Sequence, residues 1–193
     1  MTFIRKHFIW VYVIVVFTYT SPLQALMTLP MKLQQMVDKS GKVFTGTCRQ
    51  VTVDLDEQGM PATFLRFQVN EGLKGVHNGE NILVKIYGKP SPDLQWKNGQ
   101  RIVLPLRSMA LSPKNFEVDH EYLLFLYPDS TLGFTSPVGA GQGLFTIDSQ
   151  KEGAKLVTHP LGQKELQSIT GYAMDQVPLE VVLQDVRKLV HEK

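Results

Sequence analysis

The chain has 193 residues with 20 Lys or Arg against 18 Asp or Glu, a net charge of +2. Arg5 and Lys6 fall within the first 25 residues, which contain no acid, so the remainder has 18 charges of each sign and a net charge of zero. A neutral surface without a basic run argues against nucleic acid or anionic membrane as a main partner, since both need clustered Lys and Arg to displace counterions.

Arg5-Lys6-His7 precede an apolar run over residues 8–17, and Ser21-Pro22-Leu23-Gln24-Ala25 follow. A basic start, a short apolar stretch and a small residue at the cut describe a secretory signal peptide, with cleavage expected after Ala25. The competing reading, an uncleaved anchor, needs roughly 20 apolar residues to span a bilayer, so no stable membrane span is expected after cleavage. A periplasmic or secreted location follows. The single cysteine, Cys48, excludes an intrachain disulfide, so stability in an oxidising compartment has to come from packing. The scarcity of Cys favours a bacterial source. Residues 26–193 read as one domain, without repeats or low-complexity runs.

Leu29, Leu33, Met36 and Val37 lie at helical spacing and predict a short amphipathic helix over residues 29–39. The β-branched stretch 43–53 predicts a long strand, and Gly46 within it predicts a bulge or bend. A polar hairpin loop over 54–61 leads to a strand over 62–69, where Phe64, Arg66 and Gln68 alternate with Leu65, Phe67 and Val69 and the polar members should face water. A turn over 70–80 follows, then a strand over 81–87. Residues 88–115 are loop-rich, with Pro90, Pro92, Pro105 and Pro113, and only residues 101–104 have strand character. Long irregular insertions in compact domains are often where recognition occurs.

Residues 122–127 form an unbroken apolar and aromatic run closed by Pro128-Asp129-Ser130, the pattern of a strand buried on both faces. Short strands are predicted at 133–135, 142–147 and 156–158, with weak helical character over 159–176. Pro178 opens a final helix to His191, its apolar stripe formed by Val182, Val186, Leu189 and Val190.

Phe44-Thr45-Gly46, the run from Phe67 through Val69, Glu71 and Leu73 to Gly75, and Glu121-Tyr122-Leu123-Leu124-Phe125-Leu126 occur in an order that resembles secreted bacterial proteins with an OB-type barrel. That barrel is similar to the module of the tissue inhibitors of metalloproteinases and netrins. The stretch from Val138 to Phe145 resembles the same group, and the likeness covers residues 43–147. It implies a mainly β fold: a small OB-like antiparallel β-barrel with a short N-terminal helix and a C-terminal helix. It does not imply the inhibitor mechanism, in which a mature N-terminal Cys chelates the protease zinc. This chain would begin at Leu26 with Cys48 far behind, so contact with a protease would need another surface.

No residue pattern predicts catalysis, a metal or a cofactor. Cys48 with His77, His120 or His159 forms a nucleophile and base pair on paper, but Cys48 shares a strand face with Phe44, where a thiol packs as a small apolar group. Asp119-His120-Glu121 offers one His at the start of a strand, against the two His one helical turn apart that a zinc helix requires. The Gly139-Ala140-Gly141-Gln142-Gly143 run superficially resembles a phosphate loop, but strand-like residues follow it where a helix N-terminus is needed. It reads as a close backbone approach and a sharp bend. Ser130 and Ser136 lack a nucleophile elbow. The aromatics Phe64, Phe67, Tyr87 and Tyr122 lie in apolar runs and read as core, not as stacking platforms for single strands.

The expected function is that of an exported, non-enzymatic domain binding a secreted or envelope protein, a protease being one candidate, through the insertion. Trp96 is the anchor there, with Lys97, Asn98 and Arg101 as polar neighbours, although Trp96 equally suits a plug over one end of the barrel. The alternatives are a secreted hydrolase whose site forms only in three dimensions, around His120 or Cys48, and a carrier holding a small ligand inside the barrel.

Overall fold

A computed structural model describes residues 29–88, 116–149 and 153–192. The expected signal segment and most of the insertion, including Trp96, Lys97, Asn98 and Arg101, lie outside the described residues. Strand accounts for 42% and helix for 23%, which makes the fold mainly β.

The elements in chain order are α1 (Leu33–Lys39), β1 (Lys42–Leu55), β2 (Pro61–Lys74), β3 (Asn81–Tyr87), β4 (Glu121–Leu126), β5 (Phe134–Thr135), a 3-10 turn (Gly139–Gly141), β6 (Leu144–Ser149), β7 (Lys155–Thr158), α2 (Gln163–Thr170), β8 (Val177–Pro178) and α3 (Leu179–His191). They build one eight-stranded sheet in the order β5-β3-β2-β1-β4-β6-β7-β8. The sheet is mixed, because β5 pairs parallel to β3 while every other neighbour is antiparallel. As a hydrogen-bonded sheet it is not closed, its ends being β5 and β8.

β1 organises this sheet, pairing with β2 along its whole length and with β4 through residues 42–47. Register shifts at Val43/Phe44, Thr45/Gly46 and Cys48/Gln50 coil the ribbon, since each extra residue sharpens the local twist. This coiling carries β2 through the turn expected from Asn70. Residues 71–74 stay paired with 43–45, and at Gly72 a Cβ would lie 2.3 Å from the Val76 carbonyl oxygen. The glycines there permit a tight return without ending the strand.

Two cores lie on opposite faces of the sheet. One holds Phe44, Cys48, Leu65, Phe67, Val69, Val84, Ile86, Tyr122, Leu124, Leu126 and Leu144. The other holds Val43, Leu123, Phe125, Phe145, Ile147 and Val157 beneath the three helices. β4 therefore has every residue from Tyr122 to Leu126 buried, as a two-faced apolar run requires.

The helices lie on the second core. α1 contributes Leu33, Met36 and Val37, α2 contributes Leu166 and Ile169, and α3 contributes Leu179, Val182, Leu183 and Val186. α3 is fixed by Arg187, which binds Glu71 of β2 and Glu180 on its own helix. Tyr172 adds a 2.7 Å hydrogen bond to Asp185. The first helix starts at Leu33, later than its periodicity indicates. Gln142 intervenes: its Oε1 accepts the Met31 N–H at 2.7 Å and its Nε2 donates to the Leu29 carbonyl at 3.1 Å, which holds residues 29–31 extended. Among the described residues no helix is long and apolar enough to cross a membrane.

Candidate functional site

The helices cover only part of their face of the sheet. Among the described residues nothing covers that face over β3, β5 and the middle of β2, and strand alternation decides what it presents. Thr52, Phe64, Lys85 and Phe134 form one rung across four strands, and Gln50, Arg66 and Leu83 form the next. On the other side of the Phe64 rung, Ala62 pairs with Tyr87. Leu83 is 51% exposed, Tyr87 43% and the neighbouring Leu132 49%. Tyr87 and Phe134 meet edge to face, with centroids 5.7 Å apart. Exposed apolar residues grouped on one face mark a contact surface more often than scattered ones do.

Lys85 fixes the shape of this face. Its Nζ lies 2.8 Å from Asp56 Oδ2, donates to the Leu132 carbonyl at 2.9 Å and sits 4.2 Å from the Phe134 ring centre. Asp56 in turn accepts the N–H groups of Gln58 and Met60 through Oδ1. One lysine thus ties the β1–β2 turn, β3 and the β4–β5 loop together. Burial works against ionisation of Asp56, but Lys85 and the two amides outweigh it and hold the carboxyl below its ordinary value. Arg66, one rung away, is exposed and has no ion-pair partner among the described residues.

Toward β4 the surface turns polar. Arg49 Nη1 donates to Asp119 at 2.7 Å and its Nε and Nη2 donate to Gln68. Glu121 accepts from Asn70 on one oxygen and from Lys155 on the other. These groups satisfy one another and leave the apolar and cationic half as the reactive part of the face.

The residues considered for catalysis do not converge. Cys48 is fully buried, burial pushes its thiol up despite a contact to the Gln50 carbonyl, and nearby Asp119 pushes it further. His120 shares backbone hydrogen bonding with Cys48, yet its ring is exposed and reaches the Val118 carbonyl at 3.4 Å and Glu117 at 3.5 Å, not Cys48. His77 is exposed, and His159 packs against Phe145 in the other core. No group of three His, Cys, Asp or Glu among the described residues is placed to hold a metal ion.

The glycine run forms a tight turn leading into β6, with no helix after it. A Cβ on Gly143 would lie 2.6 Å from the Phe125 carbonyl oxygen and 2.7 Å from Val138 Cγ2, so it is a close approach of backbones as the strand pattern implied. The Gln142 clamp on residues 29–31 escapes sequence reasoning. An isolated Gln among glycines carries no periodicity, and its partners lie more than a hundred positions away.

No protein-family model matches this chain, and no characterised protein or solved structure matches it either.

Proposed function

We propose that this chain is an exported, non-enzymatic OB-type domain that binds another protein through the open half of its sheet. The observation that carries the reading is the group of Leu83, Tyr87 and Leu132, exposed around a Lys85 that is locked from three sides. A rigid, partly apolar platform with a tyrosine and an arginine on it has the composition that protein interfaces favour at their centre.

The topology supports an OB-type reading. β1, β2, β3 and β5 are consecutive neighbours, and the chain leaving β5 returns to β4, since Leu126 pairs with Pro137 and the Tyr127 N–H donates to the Ser136 carbonyl at 3.0 Å. That path supports reading β1–β5 around Phe44, Phe67 and Tyr122 as a Greek-key barrel of the kind in which strands 2 and 3 form the binding face. Export is supported by the leader of residues 1–25.

Arg66 gives the open face a positive charge with no ion-pair partner among the described residues, while that of Lys85 is balanced by Asp56. The insertion that follows Tyr87 has the same sign, with Lys89, Lys97, Arg101, Arg107 and Lys114 against Asp93 alone. The partner surface is therefore acidic and apolar, and Trp96, Lys97, Asn98 and Arg101 belong to the same proposal. Affinity capture from envelope and culture fractions with the protein of residues 26–193 tests it. The expected result is one recurrent partner that Leu83→Asp and Arg66→Glu each fail to retain while folding normally. Recovery of no partner, or undiminished capture by both variants, would refute it.

A further inference from the structure

Two buried polar side chains, Gln142 and His159, sit together beside the N-terminal strap of residues 29–39. Gln142 is 2% exposed, and its side-chain amide grips the strap from both sides, accepting the Met31 N–H and donating to the Leu29 carbonyl. The turn that presents Gln142 is strained. Gly139, Ala140 and Gly141 have φ of 64°, 56° and 103° in succession, and Ala140 is an L-residue in the left-handed region, which its Cβ disfavours.

His159 supports this turn from below. It is 7% exposed, its Nε2 lies 2.9 Å from the Gln142 carbonyl oxygen, and its Nδ1 lies 3.1 Å from the Leu161 amide nitrogen. An amide N–H only donates, so Nδ1 must be bare and the ring hydrogen must sit on Nε2, donating to Gln142. Both partners thereby fix one neutral tautomer. The Phe145 ring closes a third side, centroids 5.0 Å apart.

Ionisable groups on the surrounding elements are otherwise engaged or leave the ring unpaired. Lys32 before α1 donates to the Ser168 carbonyl, Asp148 of β6 accepts from Thr158, and Lys155 of β7 pairs with Glu121. Lys164 and Glu165 begin α2, and no carboxylate among the described residues forms an ion pair with the His159 ring.

We propose that Gln142 and His159 form an acid-opened latch on the N-terminal strap, which comes away when His159 takes up a second proton. A proton on Nδ1 would face the Leu161 N–H donor to donor, so the closed arrangement and the charged ring exclude each other. Burial acts in the same sense, holding the imidazole below its ordinary value, while the Gln142 carbonyl only partly offsets it. Once the ring leaves, the Gln142 carbonyl loses its donor, the left-handed turn relaxes, and the amide grip on Leu29 and Met31 is lost. The strap is then held by the packing of Leu33, Met36 and Val37 and by the hydrogen bonds from Lys32 to the Ser168 carbonyl and from Lys74 to the Val37 carbonyl.

Residue-resolved amide exchange on the full domain tests the latch. With an ordinary imidazole value of about 6.5 in the open state and a lower one when closed, the opening constant rises as pH falls, with 1 + 10^(6.5 − pH) as its upper bound. The Met31 amide should therefore open more at pH 5.0 than at pH 7.5, by up to about 30-fold after correction for intrinsic exchange. The Leu124 amide in β4 should not follow it. His159→Asn keeps an oxygen for the Leu161 N–H and cannot titrate, so it should abolish the rise. Gln142→Ala should leave Met31 unprotected at both pH values. Should either variant fold poorly, an NMR titration of the wild-type His159 ring decides the matter. Ring protonation that tracks Met31 opening supports the latch. A ring still neutral while Met31 opens overturns it, as does a wild-type rise below about threefold, or Met31 and Leu124 opening together.

Discussion

Replacing Gly143 by alanine tests whether the glycine run is a packing device. The added methyl would sit 2.6 Å from the Phe125 carbonyl oxygen and 2.7 Å from Val138 Cγ2, well inside ordinary contact. Neither neighbour can retreat freely. The Phe125 carbonyl accepts the Val138 N–H, the Phe125 N–H donates to the Gly143 carbonyl, and the Gly143 N–H donates to the Val138 carbonyl, each at 2.9 Å. Overpacking of this kind costs about 1–3 kcal/mol, and the loss of one of those hydrogen bonds adds about 1 kcal/mol. With a urea slope of roughly 2 kcal/mol/M, the unfolding midpoint should fall by about 1–2 M. Gly59→Ala is the control: its φ is 76° but nothing lies within reach of a Cβ, so only the left-handed penalty of about 1 kcal/mol and a shift of about 0.5 M are expected. Inorganic phosphate should raise neither midpoint. Equal losses from the two alanines, or stabilisation of the wild type by phosphate, would refute the packing account.

Other outcomes follow from the same geometry. Cys48 should react with a disulfide reagent only in step with global unfolding, because burial pushes its thiol above the ordinary value and leaves little thiolate; fast labelling of the folded protein would contradict this. Asp56 titrates below its usual value in the folded state, so its stabilisation is present above about pH 4 and fades as pH falls through the lowered value. Asp56→Asn should accordingly lose stability at pH 7 and flatten the acid limb of a urea-midpoint profile. Arg187→Met should cost less than about 1 kcal/mol by urea melting, since the side chain that joins Glu71 and Glu180 is 36% exposed.

The strands were legible where local pattern and burial coincide. Residues 81–87 occupy the predicted strand to the residue, and the apolar run of β4 is buried on both faces as its composition requires. Pattern was less informative where distant residues decide. β2 extends past Asn70 because β1 coils around to pair with it, an effect no local window contains. The short β8, with its proline, reads as linker until β7 is placed beside it. The open face was half visible: alternation put Arg66 and Gln68 toward water, but Lys85 became a fixed feature only when the Asp56 turn and the Leu132 loop met it. His159 looked like a spare base for Cys48, whereas the fold sets them in different cores.

Neighbouring residues along three strands feed opposite sides of the sheet. Val43 and Phe44 part company in this way, as do Leu123 and Leu124, and Leu144 and Phe145. Peeling away the helical side would pull the same peptide units that order the aromatic side, so neither half has a separate melting unit to fall back on. Heat should therefore dismantle the domain in a single cooperative step, with calorimetric and van't Hoff enthalpies in agreement.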